Sequence, residues 1–265
     1  MSHLPTFFLS HGGGPWPWLD GPFRRYFDRL EVSLKELPGD LPERPKAILV
    51  ITGHWEAPQV TVQGSAKPGM IYDYSGFPPH TYQIRYEAPG APAVAARVKA
   101  LLEAAGIPAA IDPQRGYDHG TFTPLAVMYP GADMPVVQLS IKQGYDPEEH
   151  LAIGRALAPL RDEGVLIVGS GLSWHNLRMM GPAAQAPSDA FDAWLTDALQ
   201  APPEERSARM RRWDTAPSAR LAHPEEDHLV PLFVALGAAE KDPATRIYHE
   251  RGFMGGVTAS SYRFG

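Results

Sequence analysis

Ten histidines and no cysteine set the chemistry open to this 265-residue chain. Any metal must be held by nitrogen and oxygen, and imidazoles without thiolates suit Zn, Fe, Cu or Ni better than Mg or Ca. Three of the histidines share a pattern, and a fourth stands out beside them. His11 follows an apolar run in LSHGGGPWP (9–17), His54 does so in ITGHW (51–55), and His175 closes GSGLSWH (169–175). His228 lies in HPEEDHLVPLFVALGAA (223–239), just ahead of an apolar helical stretch. A single histidine at a strand end is most simply a satisfied hydrogen-bonding group. Several at corresponding strand ends mark a metal or catalytic site. Three such ligands with open positions make a catalytic centre, and a spare imidazole titrating near neutrality can move a proton.

The other histidines carry less signal. His119, in GYDHGTFTPLAVMYP (116–130), is expected in an accessible polar loop, with Asp118 too near in the chain to support its ring. His223 is expected on the surface, ahead of a helix that begins near His228 with Asp227 as its N-cap. Pro231 is tolerated early in that helix, where the first N–H groups have no partner. His3, His80, His150 and His249 show no pattern. Trp16, Trp18, Trp55 and Trp174 flank the motif histidines, either as pocket walls or as ordinary core. HExxH, GxSxG, the P-loop and GxGxxG are all absent, which weighs against the chemistries those motifs announce. The residues by themselves define a metal-dependent enzyme with a histidine-rich site.

Bringing those histidines together requires an α/β sheet. Apolar, β-branched runs at 5–10, 46–52, 135–141 and 165–169 have the length and continuity of strands covered on both faces. Helical spacing appears at 23–37, 91–106 and 146–160, the last with Asp146 as N-cap, Pro147 at N1 and acidic residues in its first turn. The alternation predicts a mainly parallel central sheet flanked by helices, with ligands bound beyond the carboxyl ends of the strands. Segments 60–64, 81–86 and 257–264 alternate more clearly and are predicted as edge or antiparallel strands. The stretch 181–220, with helices expected at 188–199 and 203–213, is a helical excursion within a single domain spanning 1–265. The Gly-, Pro- and Tyr-rich segment 64–92 is long enough for a loop to suggest function.

A net charge of −6 without a long basic run argues against nucleic acid or an anionic membrane as the main partner. No apolar stretch is long enough to cross a bilayer, and the N-terminus lacks the marks of a signal peptide, so a cytoplasmic protein is expected.

The ordered set SHGGGP (10–15), GHW (53–55), IYDYSGFPPHTY (71–82), YDHGTF (117–122), PVVQLSI (135–141), SGLSWHNLR (170–178) and HPEEDHLVPLFVALGAA (223–239) resembles the class III extradiol ring-cleavage dioxygenases. It is most similar to their DOPA 4,5-dioxygenase-like subgroup. The resemblance runs along nearly the whole chain. It implies a non-haem Fe(II) enzyme that opens a catechol, a small aromatic diol, beside its hydroxyls with O₂. It further implies that His11, His54 and His228 are metal ligands. His175 would be the base that accepts a catechol proton and is close enough to serve as a fourth ligand. His119 would hydrogen-bond the bound reactants, and Tyr72 and Asp73 would shape the pocket. The wider class uses two histidines and a carboxylate, whereas His228 stands here where the carboxylate is expected. Glu225, Glu226 or Asp227 could restore one, though His228 fits the subgroup. Three neutral ligands also make Zn(II) an acceptable occupant. A zinc-dependent hydrolase, or a non-catalytic metal-binding relative, are the competing readings of the same cluster.

Overall fold

The computed structural model describes residues 3–265. Its elements run β1 (Thr6–Ser10), α1 (Asp28–Glu36), β2 (Ala47–Ala57), β3 (Val60–Gln63), α2 (Pro92–Ala104), β4 (Ala109–Asp112), α3 (His119–Met128) and β5 (Val136–Lys142). There follow α4 (Pro147–Leu157), β6 (Val165–Gly171), α5 (Gln185–Gln200), α6 (Pro203–Arg211), α7 (Ala219–Ala222), α8 (Val230–Ala238), β7 (Ala244–Phe253) and β8 (Val257–Phe264). All eight strands join one sheet in the order β4-β3-β5-β2-β6-β1-β8-β7.

The four central strands β5, β2, β6 and β1 are mutually parallel. They are the near-continuous apolar runs of the sequence, buried along almost their whole length as a strand covered on both sides must be. The alternating segments 60–63 and 257–264 are antiparallel to their central neighbours, but each sits one place in from the edge. The edges are β4 and β7. Segment 81–86 is not a strand. Its first half forms a 3₁₀ turn over Pro79–Gln83, because the Pro78-Pro79 pair pre-sets a turn and Thr81 closes it with bonds from its N–H and its hydroxyl to Pro78 O.

Helix α2 packs against β4 and β3, α8 against β6 and β1, and α4 against α8 and α2, while α1, α3 and α5 cover β2, β6, β7 and β8. Asp146 caps α4 by accepting the Glu149 N–H at 2.9 Å, as the sequence predicts, and Gly106 follows α2 with a left-handed φ of +77°. The region 23–37 divides into a 3₁₀ turn and α1. The excursion folds as α5 to α7, with α5 laid on β8 and β7.

Close backbone packing fixes α8. A Cβ on Gly171 would lie 2.1 Å from His228 O, and one on Gly169 would lie 2.3 Å from Pro231 O. The absence of side chains at these two positions of β6 lets the segment 228–231 run directly against the strand, where Leu172 N–H bonds His228 O. Among the described residues no helix is long and apolar enough to cross a membrane.

Candidate metal centre

Strands β1, β6 and β2 end side by side, and their carboxyl ends carry His11, His175 and His54. His11 is the first residue past β1. His54 lies within β2 rather than beyond it, in a stretch whose pairing to β5 shifts register between Ile51 and Glu56. That irregularity turns the side chain toward the sheet end, as bulges do. His228 arrives from the turn before α8. Asp227 does not cap this helix: Leu229 occupies the N-cap and no side chain caps it. The Asp227 carboxylate is instead directed at imidazoles.

The three rings converge. His54 Nε2 is 3.2 Å from His11 Nε2 and 3.1 Å from His228 Nε2. Two Nδ1 atoms have a hydrogen-bond acceptor, Ser170 Oγ at 3.1 Å for His11 and Asp227 Oδ2 at 2.7 Å for His228, and His54 Nδ1 faces Asp73 Oδ2 at 3.3 Å. With protons on Nδ1, three Nε2 lone pairs face one another. Metal–nitrogen bonds of about 2.1 Å at angles between 90° and 109° separate two ligand nitrogens by about 3.0–3.4 Å. The donor set therefore fits a divalent metal, and the three residues form a group able to hold one. Burial, reinforced by the neighbouring imidazoles, holds His11 and His54 well below the ordinary histidine range. Burial and His175 bring His228 down to about 4, against the opposing pull of Asp227. All three are neutral at pH 7, the form that coordinates.

The support of His11 can be traced to a proline. Pro124 lies inside α3 and has no N–H to give to the carbonyl four residues earlier, which is Gly120. Ser170 Oγ donates to that Gly120 oxygen and receives His11 Nδ1–H. Trp16 holds the other side, donating Nε1–H to His11 O at 2.9 Å while stacking on Phe27.

Two carboxylates each serve two rings. Asp73 accepts the His119 N–H at 3.0 Å and Nδ1–H at 2.9 Å on one oxygen, and faces His54 with the other. Asp227 binds His228 and lies 3.6 Å from His175 Nδ1. Burial opposes the ionisation of both, yet the hydrogen bonds from their histidines keep Asp73 and Asp227 below the usual carboxylate range. His175 stacks on His228 with ring centroids 3.4 Å apart, and His119 lies 3.9 Å from the His54 centroid. All five histidines thus meet at one place.

Several expectations need correction. His119 is not in a loop. It opens α3, where Asp118 is the N-cap and accepts the Thr121 N–H, and its ring is supported by Asp73 from 46 residues away. His223 is not on the surface but fully buried, edge-on to Phe191 and Trp213, with Nε2 bonded to Ser173 O. Tyr72 bonds Ile84 O and stands against Tyr74, whose ring meets His119. Trp16 and Trp174 are core, and none of the four tryptophans lines the cavity beside His175. That cavity, of about 460 Å³, is lined by His175, Asn176, Leu177, Arg178, Pro224, Glu225 and Asp227. His150, unremarkable in sequence, is buried and links strand to helix: it accepts Lys142 N–H and donates to Asp146 O.

Sequence and structure comparisons agree on one lineage. Residues 1–265 match the family described as the catalytic LigB subunit of aromatic ring-opening dioxygenase. The chain is 40% identical to the 4,5-DOPA dioxygenase extradiol of Beta vulgaris, over 98% of this chain and 96% of that protein. It is 38% identical to dioxygenase tasH of Hapsidospora irregularis, over 100% of this chain and 86% of the other. The crystal structure of an uncharacterized protein from Escherichia coli K12 superposes with a TM-score of 0.78 at 32% identity, covering 99% of this chain and 100% of that one.

Proposed function

This chain belongs to the LigB family of class III extradiol dioxygenases, and from that premise we propose that it opens a DOPA-like catechol with O₂ at a metal held by His11, His54 and His228. The observation that carries this reading is the convergence of three Nε2 lone pairs, with His175 beside them lining a cavity and His119 against them on the Asp73 side. Fe(II) is the metal assigned here. When bound, it supplies the one-electron chemistry that O₂ requires, whereas Zn(II) fits the same donors but has no redox chemistry.

The protein's own groups then have separate tasks. His175 keeps Nδ1 toward Asp227, and its Nε2 has no partner among the described residues. That atom accepts the proton of a catechol hydroxyl, and the ionised Asp227 stabilises the imidazolium that forms. His175 stacks on His228 and groups with Asp227 and His228 rather than with His11 and His54, so it is assigned here as the base. His119, fixed through Nδ1 by Asp73, offers Nε2 as a hydrogen-bonding group to an oxygen of the bound reactants. Tyr72 and Tyr74 wall that side of the site. At the cavity rim, Arg178 and Glu225 carry opposite charges and have no ion pair among the described residues. They complement the carboxylate and ammonium of an amino-acid side arm, which favours DOPA over catechols with a plain acidic arm.

The test is direct. The protein is stripped of metal, loaded anaerobically with Fe(II), and given O₂ with DOPA, protocatechuate or caffeate. Oxygen uptake and a yellow ring-opened product are expected, greatest with DOPA and absent after Zn(II) loading. No oxygen uptake with any catechol by the Fe(II)-loaded protein would overturn the proposal.

A further inference from the structure

We propose that His223 is a positioning residue for the reaction, holding the loop that carries His175 through a bond from its Nε2–H to Ser173 O. This rests on the reading of His175 as the proton acceptor.

The argument starts from an anomaly. His223 is wholly buried, and the bond to Ser173 O at 3.1 Å places its proton on Nε2. Nδ1 is then a bare lone pair, and it is among the few buried side-chain atoms with no partner. A buried unpaired nitrogen is unfavourable and calls for an explanation. The ring's surroundings are aromatic, with Phe191 at 5.5 Å and Trp213 at 5.8 Å between centroids. Phenylalanine would pack there without the orphaned nitrogen. What histidine provides at this position and phenylalanine cannot is the bond to Ser173 O.

That bond belongs to a set. His175 leaves the end of β6 in a segment without regular structure, four residues past the last strand position. Three consecutive residues hold it: His223 Nε2–H to Ser173 O, His175 N–H to Ala222 O at 2.9 Å, and Asn176 Nδ2–H to Leu221 O at 2.9 Å. Four and five residues past His223, the same segment delivers Asp227 and His228. One stretch of chain, 221–228, therefore places both the His175 loop and the two groups His175 must meet. Helix α5 and Trp213, just beyond α6, supply the aromatic walls that fix His223, which gives the helical excursion a role in the site.

The test compares His223→Phe and His223→Gln with the parent and with His175→Ala, all loaded with Fe(II). The Phe variant exchanges one unpaired buried atom, Nδ1, for another, Ser173 O, so its Tm and its iron stoichiometry should stay near those of the parent. Its kcat with DOPA should fall about tenfold to a hundredfold, the effect of misplacing a reacting group by about an ångström. KM should change little, and the acid limb of the kcat–pH profile should move. The Gln variant, whose amide can reach Ser173 O, should recover most of the loss. The inference is overturned if the Phe variant keeps kcat within about twofold of the parent while His175→Ala is inactive. It is overturned equally if both His223 variants lose activity only in proportion to lost Tm. An active His175→Ala would instead remove the premise, a separate and recognisable result.

Discussion

Asp73 and Asp227 divide the centre between them, each joining one of the three converging histidines to one that stands outside that trio. A carboxylate can accept protons from both of its rings; an amide cannot. In Asp73→Asn or Asp227→Asn, one ring nitrogen would meet an NH₂ group, and its proton would have to move from Nδ1 to Nε2. For His54 or His228 that removes the lone pair aimed at the metal. Each substitution should weaken Fe(II) binding by about 10- to 100-fold, as loss of such outer hydrogen bonds does, measured by competition with a chelator. Asp227→Asn should also deprive His175 of its counter-charge, so its activity should fall further than lost metal explains, even at saturating iron. The histidines themselves were legible in the sequence because glycines and apolar runs frame them. The roles of the carboxylates were not: the resemblance marks Asp73 only as a pocket residue, since the rings it serves lie 19 residues behind it and 46 ahead. Asp227 looked like a helix cap because the two rings it serves, the adjacent His228 and His175 far away in the chain, meet it only in the folded protein.

At the level of elements, the site depends on backbone approach that only glycine permits. Gly171→Ala would force the His228 carbonyl away from β6 and break its bond to Leu172 N–H. We expect a loss of about 1–3 kcal/mol, typical of overpacking a filled interior, seen as a lowered denaturation midpoint together with reduced iron content. A surface glycine such as Gly39, with open space around it, serves as the control. The junction of β5 and α4 gives a second expectation. Burial pushes the His150 pKa down, so the folded state holds this ring neutral more firmly than the unfolded chain, which titrates near 6.5. The stabilisation is fully present above that value and is lost as pH falls below it, at up to about 1.4 kcal/mol per pH unit. In urea titrations of the metal-free protein, His150→Met should be less stable at neutral pH, because Lys142 N–H loses its acceptor. It should also show a shallower decline in acid. The parallel strands and capped helices were readable from period and turn chemistry. Segment 81–86 was misread because its alternation imitates a strand, while the preceding prolines and the Thr81 side chain bend it into a turn.

Across the whole molecule, the cavity beside His175 is made by two stretches, 175–178 and 224–227, that are distant in the chain and are brought together by the packing of α8 on β6 and by the hydrogen bonds of 221–223 to the His175 loop. The protein carries a net charge of −6, so an anionic catechol gains nothing from the overall field and must be drawn by local groups. Arg178 is such a group, an exposed guanidinium on the cavity wall with the fork geometry that suits a carboxylate. Arg178→Gln should therefore raise KM for DOPA by about 5- to 50-fold, the range of a charge-assisted hydrogen bond of about 1–2.3 kcal/mol in a partly solvated site. KM for 4-methylcatechol, which has the same ring and no charged arm, should be nearly unchanged. Glu225→Gln should discriminate differently, weakening DOPA while improving 3,4-dihydroxyphenylpropionate, which has the carboxylate but lacks the ammonium. Equal KM changes for charged and uncharged catechols in the Arg178 variant would show that the rim contributes shape rather than charge recognition. Side-arm selection would then have to lie with the Tyr72 and Tyr74 wall on the opposite side of the histidines.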